Sequence, residues 1–491
     1  MDAMELKRNL RIGGEISRVD SRELTYSQFV DRYLVKNQPV VLTSLMDDWR
    51  ACVDWVKPNG SPNLEFFAEC FGESRVQVAD CGVQEFTDQK RVEMTVSEFV
   101  GHWHDSCADD SSGSSMDQCG QSLFYLKDWH FVREYPDYVA YTTPSFFEDD
   151  WLNMYLDKYQ MHRSTDIQDR SDISCSDYRF VYMGPKGTWT PLHADVFRSY
   201  SWSANVCGSK LWLFLPPSQH HLVSDRNMKN SVYNILEEVN ESKFPGLKKA
   251  VWMECIQGRN EIIFVPSGWY HQVHNLEDTV SINHNWFNAF NLCWVLDLLL
   301  RDYDEAREYI EDIRDICDDF EGLCQRNLAA NTGMNFYDFF SFLIIMAFAN
   351  LVSLYLLLGK PKVSSLDPHP QAKNAIINLL SIRRVASRLK LACSTEHHGL
   401  SMDFGKILKD PVFLNLCTCI QTTYQNLYDP FGSTHKTLNA SLAELEDSDF
   451  FEALGSVMST PGDLVSLVDR ALAKIKVALV GEIWPGCQLD I

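Results

Sequence analysis

Short strand-like runs follow one another at regular intervals between Tyr178 and Asn288, and they limit the possible folds of this chain more than any other feature. The runs read YRFVYM, SKLWLFLPP, EIIFVPS and TVSINHNWF, and glycine, proline and asparagine separate them. β-Branched and aromatic runs divided by turn-forming residues are typical of antiparallel sandwiches and barrels. The middle of the chain is therefore predicted to form a β-barrel or sandwich.

The residue patterns on either side of this block predict different secondary structure. Before it, QPVVLTSL (Gln38–Leu45) has the character of a buried strand, and a short amphipathic helix is predicted over Ser27–Val35. After the block, helical patterns with few prolines dominate the sequence. They cover Cys293–Cys317, Phe336–Leu358, Lys373–Leu391 and Leu442–Val480.

These strand-like and helical patterns predict an α+β protein with three regions. A chain of 491 residues is long enough for roughly two to three folding units, and a hydrophobic content of 45% is enough to give them cores. We expect an N-terminal α/β support over residues 1–160, the β core over residues 161–290 and a C-terminal helical domain over residues 291–491.

Charge and cysteine usage limit the partners and the compartment. A net charge of −23 repels phosphate, so direct nucleic-acid binding is not expected, whereas a basic protein partner is easier to recruit. The 15 cysteines have no repeating spacing, and no apolar signal-peptide segment follows Met1–Ile12. Reduced thiols in the cytoplasm, and in the nucleus as a second compartment, are the expectation.

An uncharged run, FFSFLIIMAFANLVSLYLLLG, extends from Phe339 to Gly359. It is long enough to span a bilayer, but the same composition is typical of a helix buried on all sides in a helical domain. Acidic residues precede it, no positive cluster lies close to either end, and it contains polar side chains such as Asn350. We therefore expect a buried helix.

A candidate metal site begins at TWTPLHAD, which places His193 and Asp195 one residue apart at the start of the β block. Side chains two apart on a strand point to the same side, so both groups can face one ion. His271, in PSGWYHQVHN, can supply a third ligand from a distant strand, although His274 and His284 compete with it. Two imidazoles and one carboxylate leave coordination positions open, which suits a non-haem Fe(II) oxygenase.

Neither element of this pattern is specific by itself, because a histidine in an apolar strand is more often an ordinary core residue than a ligand. Lys210, in GSKLWLFLPP, adds a second signal. Strand alternation places Lys210 on one face with Trp212 and Phe214. Such a lysine is either an edge residue that reaches solvent or a buried cation that awaits an anion, and a 2-oxo diacid beside the iron would supply that anion.

At these residues the sequence resembles the jumonji-C (JmjC) family of Fe(II)/2-oxoglutarate oxygenases. The shared motifs are FVYMGPKGTWTPLHAD, WSANVCGSKLWLFLPP and FVPSGWYHQVHNLEDTVSINHNW. The resemblance extends upstream through SLFYLKDWHF to NQPVVL and downstream to GMNFYDFFSFL, and covers residues 24–345. It implies a double-stranded β-helix, the jelly-roll or cupin-like barrel of the JmjC proteins.

The resemblance also assigns roles to individual residues. The family's iron triad corresponds to His193, Asp195 and His271. Lys210 matches the lysine that binds the distal carboxylate of 2-oxoglutarate, and Thr190 matches its hydroxyl partner. Asn283 stands where a polar residue often faces the cosubstrate, and Ser203 replaces the asparagine of some relatives.

The implied reaction couples oxidative decarboxylation of 2-oxoglutarate by O2 to oxidation of a substrate C–H bond. Within the family the sequence is most similar to the JmjC domain-containing protein 4 branch, which implies hydroxylation of a lysine in the translation termination factor. Histone lysine or arginine demethylation, a catalytically silent JmjC scaffold and a cupin with a different metal set are the alternatives. A homodimer through the C-terminal helices is a further arrangement that the sequence leaves open.

Overall fold

A computed structural model describes residues 10–109, 122–161, 177–358, 370–392, 402–428 and 457–474. The chain divides into two compact units, one formed by residues 1–144 and 177–286 and the other by residues 145–176 and 287–491. The first unit combines most of the predicted N-terminal support with the predicted β core, because strands from both regions share one sheet.

The first unit contains strands from both ends of its sequence. In chain order they are β1 (Arg11–Glu15), β2 (Arg18–Asp20), β3 (Val40–Thr43), β4 (Arg75–Glu85), β5 (Asp88–Thr95), β6 (Phe124–Trp129), β7 (Arg179–Gly184), β8 (Trp189–His193), β9 (Tyr200–Cys207), β10 (Lys210–Leu215), β11 (Val251–Gln257), β12 (Glu261–Val265), β13 (Tyr270–Asn275) and β14 (Thr279–Trp286). Its α-helices are Tyr26–Phe29, Ala51–Asp54, Leu64–Phe71, Val96–Asp109, Phe131–Glu134 and His220–Val223.

The predicted N-terminal helix is present but is not a uniform α-helix. Thr25 and Gln28 form a capping box that starts it, and the α-helical turn Tyr26–Phe29 continues as a π-helix over Val30–Leu34. The predicted strand that follows corresponds to β3 and is buried over Val40–Leu42.

Two sheets form the barrel. One has the order β1-β11-β10-β13-β8, and the other has the order β2-β3-β12-β9-β14-β7-β6-β4-β5. The central pairs β10–β13, β13–β8, β9–β14 and β14–β7 are antiparallel, as a jelly roll requires. The predicted α+β fold with a cupin-like barrel is confirmed.

The space between the sheets is filled by an apolar layer drawn from both of them. Trp212 on β10 and Val273 on β13 pack with Val41 on β3 and Ile263 on β12. Leu211 and its alternate neighbours on β10 belong to a different cluster, which lies on the opposite face of that strand. The predicted alternation along GSKLWLFLPP is therefore present, with the Trp212 face toward the barrel interior.

The second unit is mainly helical, as predicted for the C-terminal region. Its helices are Trp151–Leu156, Leu292–Tyr309, Phe320–Thr332, Phe336–Leu358, Pro370–Ala392, Phe404–Ile407, Pro411–Tyr428 and Pro461–Lys474, with a short pair of strands, β15 (Met402–Asp403) and β16 (Val457–Met458). The predicted helix over Cys293–Cys317 stops at Tyr309 and gives way to a 3-10 helix over Glu311–Ile316. Of the predicted helix over Leu442–Val480, residues 442–456 and 475–480 lie outside the described residues.

The uncharged run forms helix Phe336–Leu358, which by length and composition could cross a membrane. The protein buries 78% of its most apolar window. Asn350, in the middle of the run, accepts a hydrogen bond of 2.8 Å from the Asn378 amide of the next helix, and Asn378 also donates to the Tyr424 hydroxyl at 2.7 Å. The Asn350 side chain is therefore paired with protein, as in a buried core helix.

Candidate metal centre

Three potential metal ligands meet at the ends of two neighbouring strands. His193 is the last residue of β8, and Asp195 follows at the start of the 3-10 turn Val196–Arg198. His271 is the second residue of β13 and lies directly opposite His193 in the antiparallel pair. One nitrogen or oxygen from each residue lies within 4.8 Å of the others, so the three groups can hold one ion.

Hydrogen bonds orient all three groups toward a common centre. The Nδ1 atoms of His193 and His271 point at the backbone carbonyls of Pro191 and Trp269, at 2.8 and 3.2 Å. A carbonyl can only accept, so each Nδ1 carries the proton and each Nε2 keeps its lone pair for a metal. The Ser201 hydroxyl donates to Asp195 Oδ2 at 2.7 Å and fixes the carboxylate.

Burial, followed by repulsion from the neighbouring imidazole of His193, lowers the pKa of His271 to about 4. The ring is therefore neutral at physiological pH, and a neutral imidazole is the form that coordinates a metal ion. Two neutral nitrogens and one carboxylate, with open positions beside them, fit Fe(II) and leave room for a bidentate ligand and O2.

The two competing histidines lie away from this centre and have other partners. His274 Nε2 accepts a hydrogen bond of 2.8 Å from the Gln272 amide, whose oxygen is fixed by the backbone N–H of Ile235. His284 Nε2 bonds the Tyr141 hydroxyl at 2.5 Å. The structure therefore brings His271, and neither competitor, to His193.

Lys210 is a buried cation. It is 2% exposed at the start of β10, a central strand between β11 and β13, so it is not an edge lysine. Its Nζ donates to the Ser281 hydroxyl at 2.8 Å and to the Tyr125 hydroxyl at 3.2 Å. Burial lowers its pKa to about 7, and no carboxylate within the described residues forms an ion pair with it. Such an ammonium favours an anionic ligand.

Lys210 and the metal ligands share the barrel interior. Trp212, two residues after Lys210 on the same face, has its ring centroid 5.4 Å from that of His271, and the Phe214 centroid lies 5.7 Å from it. The aromatic rings give the metal an apolar wall, and the lysine lies further along the same strand. This spacing suits a ligand with an anionic group at each end.

The structure adds Tyr125 and Ser281, which the sequence did not single out. Ser281 could have been found, because alternation along TVSINHNWF places it on the same face as Asn283, and the Asn283 amide donates to its hydroxyl at 3.3 Å. Tyr125 could not, because it comes from β6, which is distant in sequence and reaches the barrel through β7.

The remaining residues singled out from the sequence, Thr190, Ser203 and Asn283, lie on β8, β9 and β14. Thr190 lies on β8 opposite Val273. Ser203 lies on β9 opposite Asn283, and its buried hydroxyl has no hydrogen-bond partner within the described part of the chain. An orphan hydroxyl at this position leaves a donor available to a bound molecule.

Two sheets that form a jelly-roll barrel, a His/Asp/His cluster and a buried lysine together define an oxygenase of the cupin class. Residues 26–292 match the family described as "Cupin-like domain". "Arginine-specific demethylase JMJ20" of Arabidopsis thaliana is 54% identical over 94% of this chain and 97% of its own length. "2-oxoglutarate and iron-dependent oxygenase JMJD4" is 37% identical in Danio rerio, over 79% of this chain and 83% of the relative.

The Homo sapiens protein of that last name is 37% identical over 67% of this chain and 75% of its own length. The chain therefore belongs to the cupin-like JmjC family of oxygenases, as the sequence motifs predicted.

Proposed function

We propose that the protein is an Fe(II)- and 2-oxoglutarate-dependent dioxygenase that oxidises a C–H bond in a basic side chain of a protein substrate. The observation that carries this proposal is the joint geometry of the barrel interior. A His/Asp/His cluster with ligand atoms within 4.8 Å lies on the same interior wall as a lysine that has only neutral partners. The names of the relatives JMJD4 and JMJ20 support the same chemistry.

The residues divide into three groups, which are metal ligands, cosubstrate contacts and an apolar wall. His193, Asp195 and His271 would hold the iron, which supplies O2 activation together with 2-oxoglutarate when both are bound. Lys210, held by Tyr125 and Ser281, would pair with the distal carboxylate of the cosubstrate. Thr190 and Asn283 are proposed as further cosubstrate contacts. Trp212 and Phe214 exclude water beside His271, which strengthens each of these electrostatic contacts.

For the substrate, we propose hydroxylation of a lysine, with the translation termination factor as the first protein to test. The resemblance to the JmjC domain-containing protein 4 branch motivates this choice, and a net charge of −23 favours encounter with a basic partner. The purified protein, Fe(II), 2-oxoglutarate and release factor should add one oxygen atom to a lysine, measured by peptide mass spectrometry.

Two variants serve as the negative and positive controls of that experiment. His193→Ala should abolish the added oxygen, whereas His221→Ala, which changes an exposed histidine outside the centre, should not. If the wild type turns over 2-oxoglutarate and no lysine of the release factor gains oxygen, that substrate is wrong.

Arginine demethylation is the second candidate, and a specific observation favours it. The relative that carries the name "Arginine-specific demethylase" is 54% identical over nearly the whole chain. Both reactions oxidise a carbon of a cationic side chain, and hydroxylation of an N-methyl carbon releases formaldehyde. Formaldehyde from histone peptides with methylated arginine, absent with His193→Ala, would select this candidate. Its absence, with lysine oxidation present, would select the first.

We further propose a cytoplasmic location, with the nucleus as a second compartment, and no direct contact with nucleic acid or membrane. A homodimer through the C-terminal helices is proposed as well, and sedimentation of the purified protein would test it. The absence of membrane contact is supported by the apolar helix Phe336–Leu358, which is largely covered by protein.

A further inference from the structure

A charged cluster lies beside the barrel interior and takes no part in the metal or cosubstrate chemistry. Its members are Asp88, Arg91, Lys127 and Asp128. Its link to the interior is Tyr182 on β7, which lies directly opposite Ser281 on β14. Residues directly opposite in an antiparallel pair project from the same face, so Tyr182 shares the face from which Ser281 holds Lys210. The Tyr182 hydroxyl donates to Asp128 Oδ1.

Asp128 is turned toward this site by an irregularity in β6. The pairing of β6 with β7 shifts register between Leu126 and Trp129, and Asp128 has a φ of 60°, in the left-handed region that non-glycine residues seldom adopt. Bulges of this kind redirect a side chain next to a functional site. The Asp128 side chain keeps 39% of its exposure, so its carboxylate is accessible.

The outer side of Asp128 faces a pocket. The cavity has a volume of about 250 Å³, and it is lined by Asp128, Trp129, His130, Arg133 and Glu134 together with Arg75, Val76 and Gln77. Asp128 therefore touches a barrel residue through one oxygen and lines an open cavity on the other side. A side chain that entered from this pocket would meet the carboxylate before the barrel interior.

The ion pairs of the cluster are unevenly shared. Arg91 lies 3.0 Å from Asp128 and 3.3 Å from Asp88, so two carboxylates share one guanidinium. Lys127 is buried, donates to the neutral Gln89 amide oxygen at 3.0 Å and forms no ion pair with either carboxylate among the described residues. Two carboxylates of the cluster therefore share a single ion-pair partner among the described residues.

The filled metal centre does not supply a counter-charge for a cationic substrate side chain. A ferrous ion, one carboxylate, the cosubstrate dianion and one ammonium have no net charge together. The centre itself therefore offers no attraction to a cationic side chain, and a cation that leaves water needs a partner. Asp128 is the carboxylate that adjoins the barrel through Tyr182 and still has accessible surface.

We propose that Asp128 is a specificity-determining residue that binds the cationic head of the substrate side chain, guanidinium or ammonium, beside the barrel interior. This inference rests on the proposed function, because it names the group that recognises the basic side chain. A carboxylate has about four lone-pair sites, so Asp128 can accept from a ligand while it keeps its bonds to Tyr182 and Arg91.

The test uses the full chain loaded with Mn(II) and 2-oxoglutarate, and small probes in place of the unidentified substrate. Methylguanidinium is the cationic probe, and N-methylurea is its neutral counterpart of the same shape. The paramagnetic enhancement of methyl-proton relaxation reports each probe near the metal. A salt concentration of about 0.3 M reduces the contribution of distant exposed carboxylates.

The wild type should enhance methylguanidinium relaxation several-fold more than N-methylurea relaxation. Asp128→Asn should remove that difference, whereas Asp128→Glu and the matched surface change Asp48→Asn should keep it. Equal enhancement of the two probes by the wild type, or a difference that survives Asp128→Asn, would overturn the proposal. Enhanced relaxation of the 2-oxoglutarate methylene protons in each variant shows that the fold and metal site are intact.

The same measurement separates this inference from the proposed function. If Mn(II) leaves the methylene protons of 2-oxoglutarate unaffected in the wild type, the oxygenase assignment fails. If the methylene protons respond and the cationic probe shows no preference, only the role of Asp128 fails.

Discussion

Replacement of Lys210 by Met should distinguish two opposite effects of its buried charge. The charge is unfavourable for the stability of the free protein and favourable for the binding of 2-oxoglutarate. Burial lowers the pKa of Lys210 from 10.5 to about 7. At 1.36 kcal/mol for each pKa unit, this corresponds to roughly 5 kcal/mol by which the barrel disfavours the ammonium relative to water. A distal carboxylate of 2-oxoglutarate would offset that cost, because it supplies the missing counter-charge.

The free protein should therefore lose no stability in Lys210→Met, since methionine fills a similar volume without a buried charge. Cosubstrate affinity should fall by about 30- to 1,000-fold, the effect of about 2–4 kcal/mol expected when one partner of a buried charged pair is removed. Calorimetric titration of the Mn(II)-loaded protein with 2-oxoglutarate measures the affinity, and urea unfolding without cosubstrate measures the stability.

The pH dependence of the stability difference between wild type and Lys210→Met gives an independent check, and its sign can be stated in advance. The pKa of Lys210 is lowered on folding, so between about pH 7 and 10 the unfolded chain binds more protons at this residue than the native protein does. Wild-type stability relative to Lys210→Met should thus increase by roughly 2–3 kcal/mol from pH 7 to 9. A variant that is strongly destabilised, binds 2-oxoglutarate within threefold of wild type and shows no pH-dependent difference would refute the reasoning.

Three further substitutions test other contacts. Ser201→Ala removes the hydrogen bond to Asp195 and should weaken metal affinity by about 10- to 100-fold in a competition titration with a chelator, and an unchanged affinity would contradict this role. Tyr125→Phe removes one hydroxyl partner of the buried lysine and should raise the 2-oxoglutarate dissociation constant by about 2- to 10-fold, less than loss of the lysine itself. Asn378→Leu leaves the Asn350 oxygen without its partner and should lower the free energy of unfolding by about 1–3 kcal/mol in urea, with part of the loss restored when Asn350→Leu is added.

The sequence predicted most of the barrel because its strands follow local periodicity, and the resemblance to the JmjC family assigned the three ligands of the metal centre. Alternation along GSKLWLFLPP placed Lys210, Trp212 and Phe214 on one face, and this face lines the interior. The same period of two put His193 and Asp195 on one side of a strand end, where the structure has them together.

Periodicity alone leaves choices between similar residues, which the family resemblance made and the tertiary structure explains. Strand alternation places His271 and His274 on opposite faces of β13 but does not say which face is inside. The register of β13 against β8 decides this, because it sets His271 opposite His193. The same holds for Lys210, since only the positions of β11 and β13 show that its strand is central and its ammonium buried.

The sequence by itself thus determined the class of fold, the residue types of the centre and their chemistry, since these follow from side-chain period and donor identity. Tertiary structure alone brought Tyr125 to Lys210 and Asp128 to Tyr182. These contacts join β6 to strands far from it in sequence, and long-range strand pairing depends on the whole sheet and not on any local pattern.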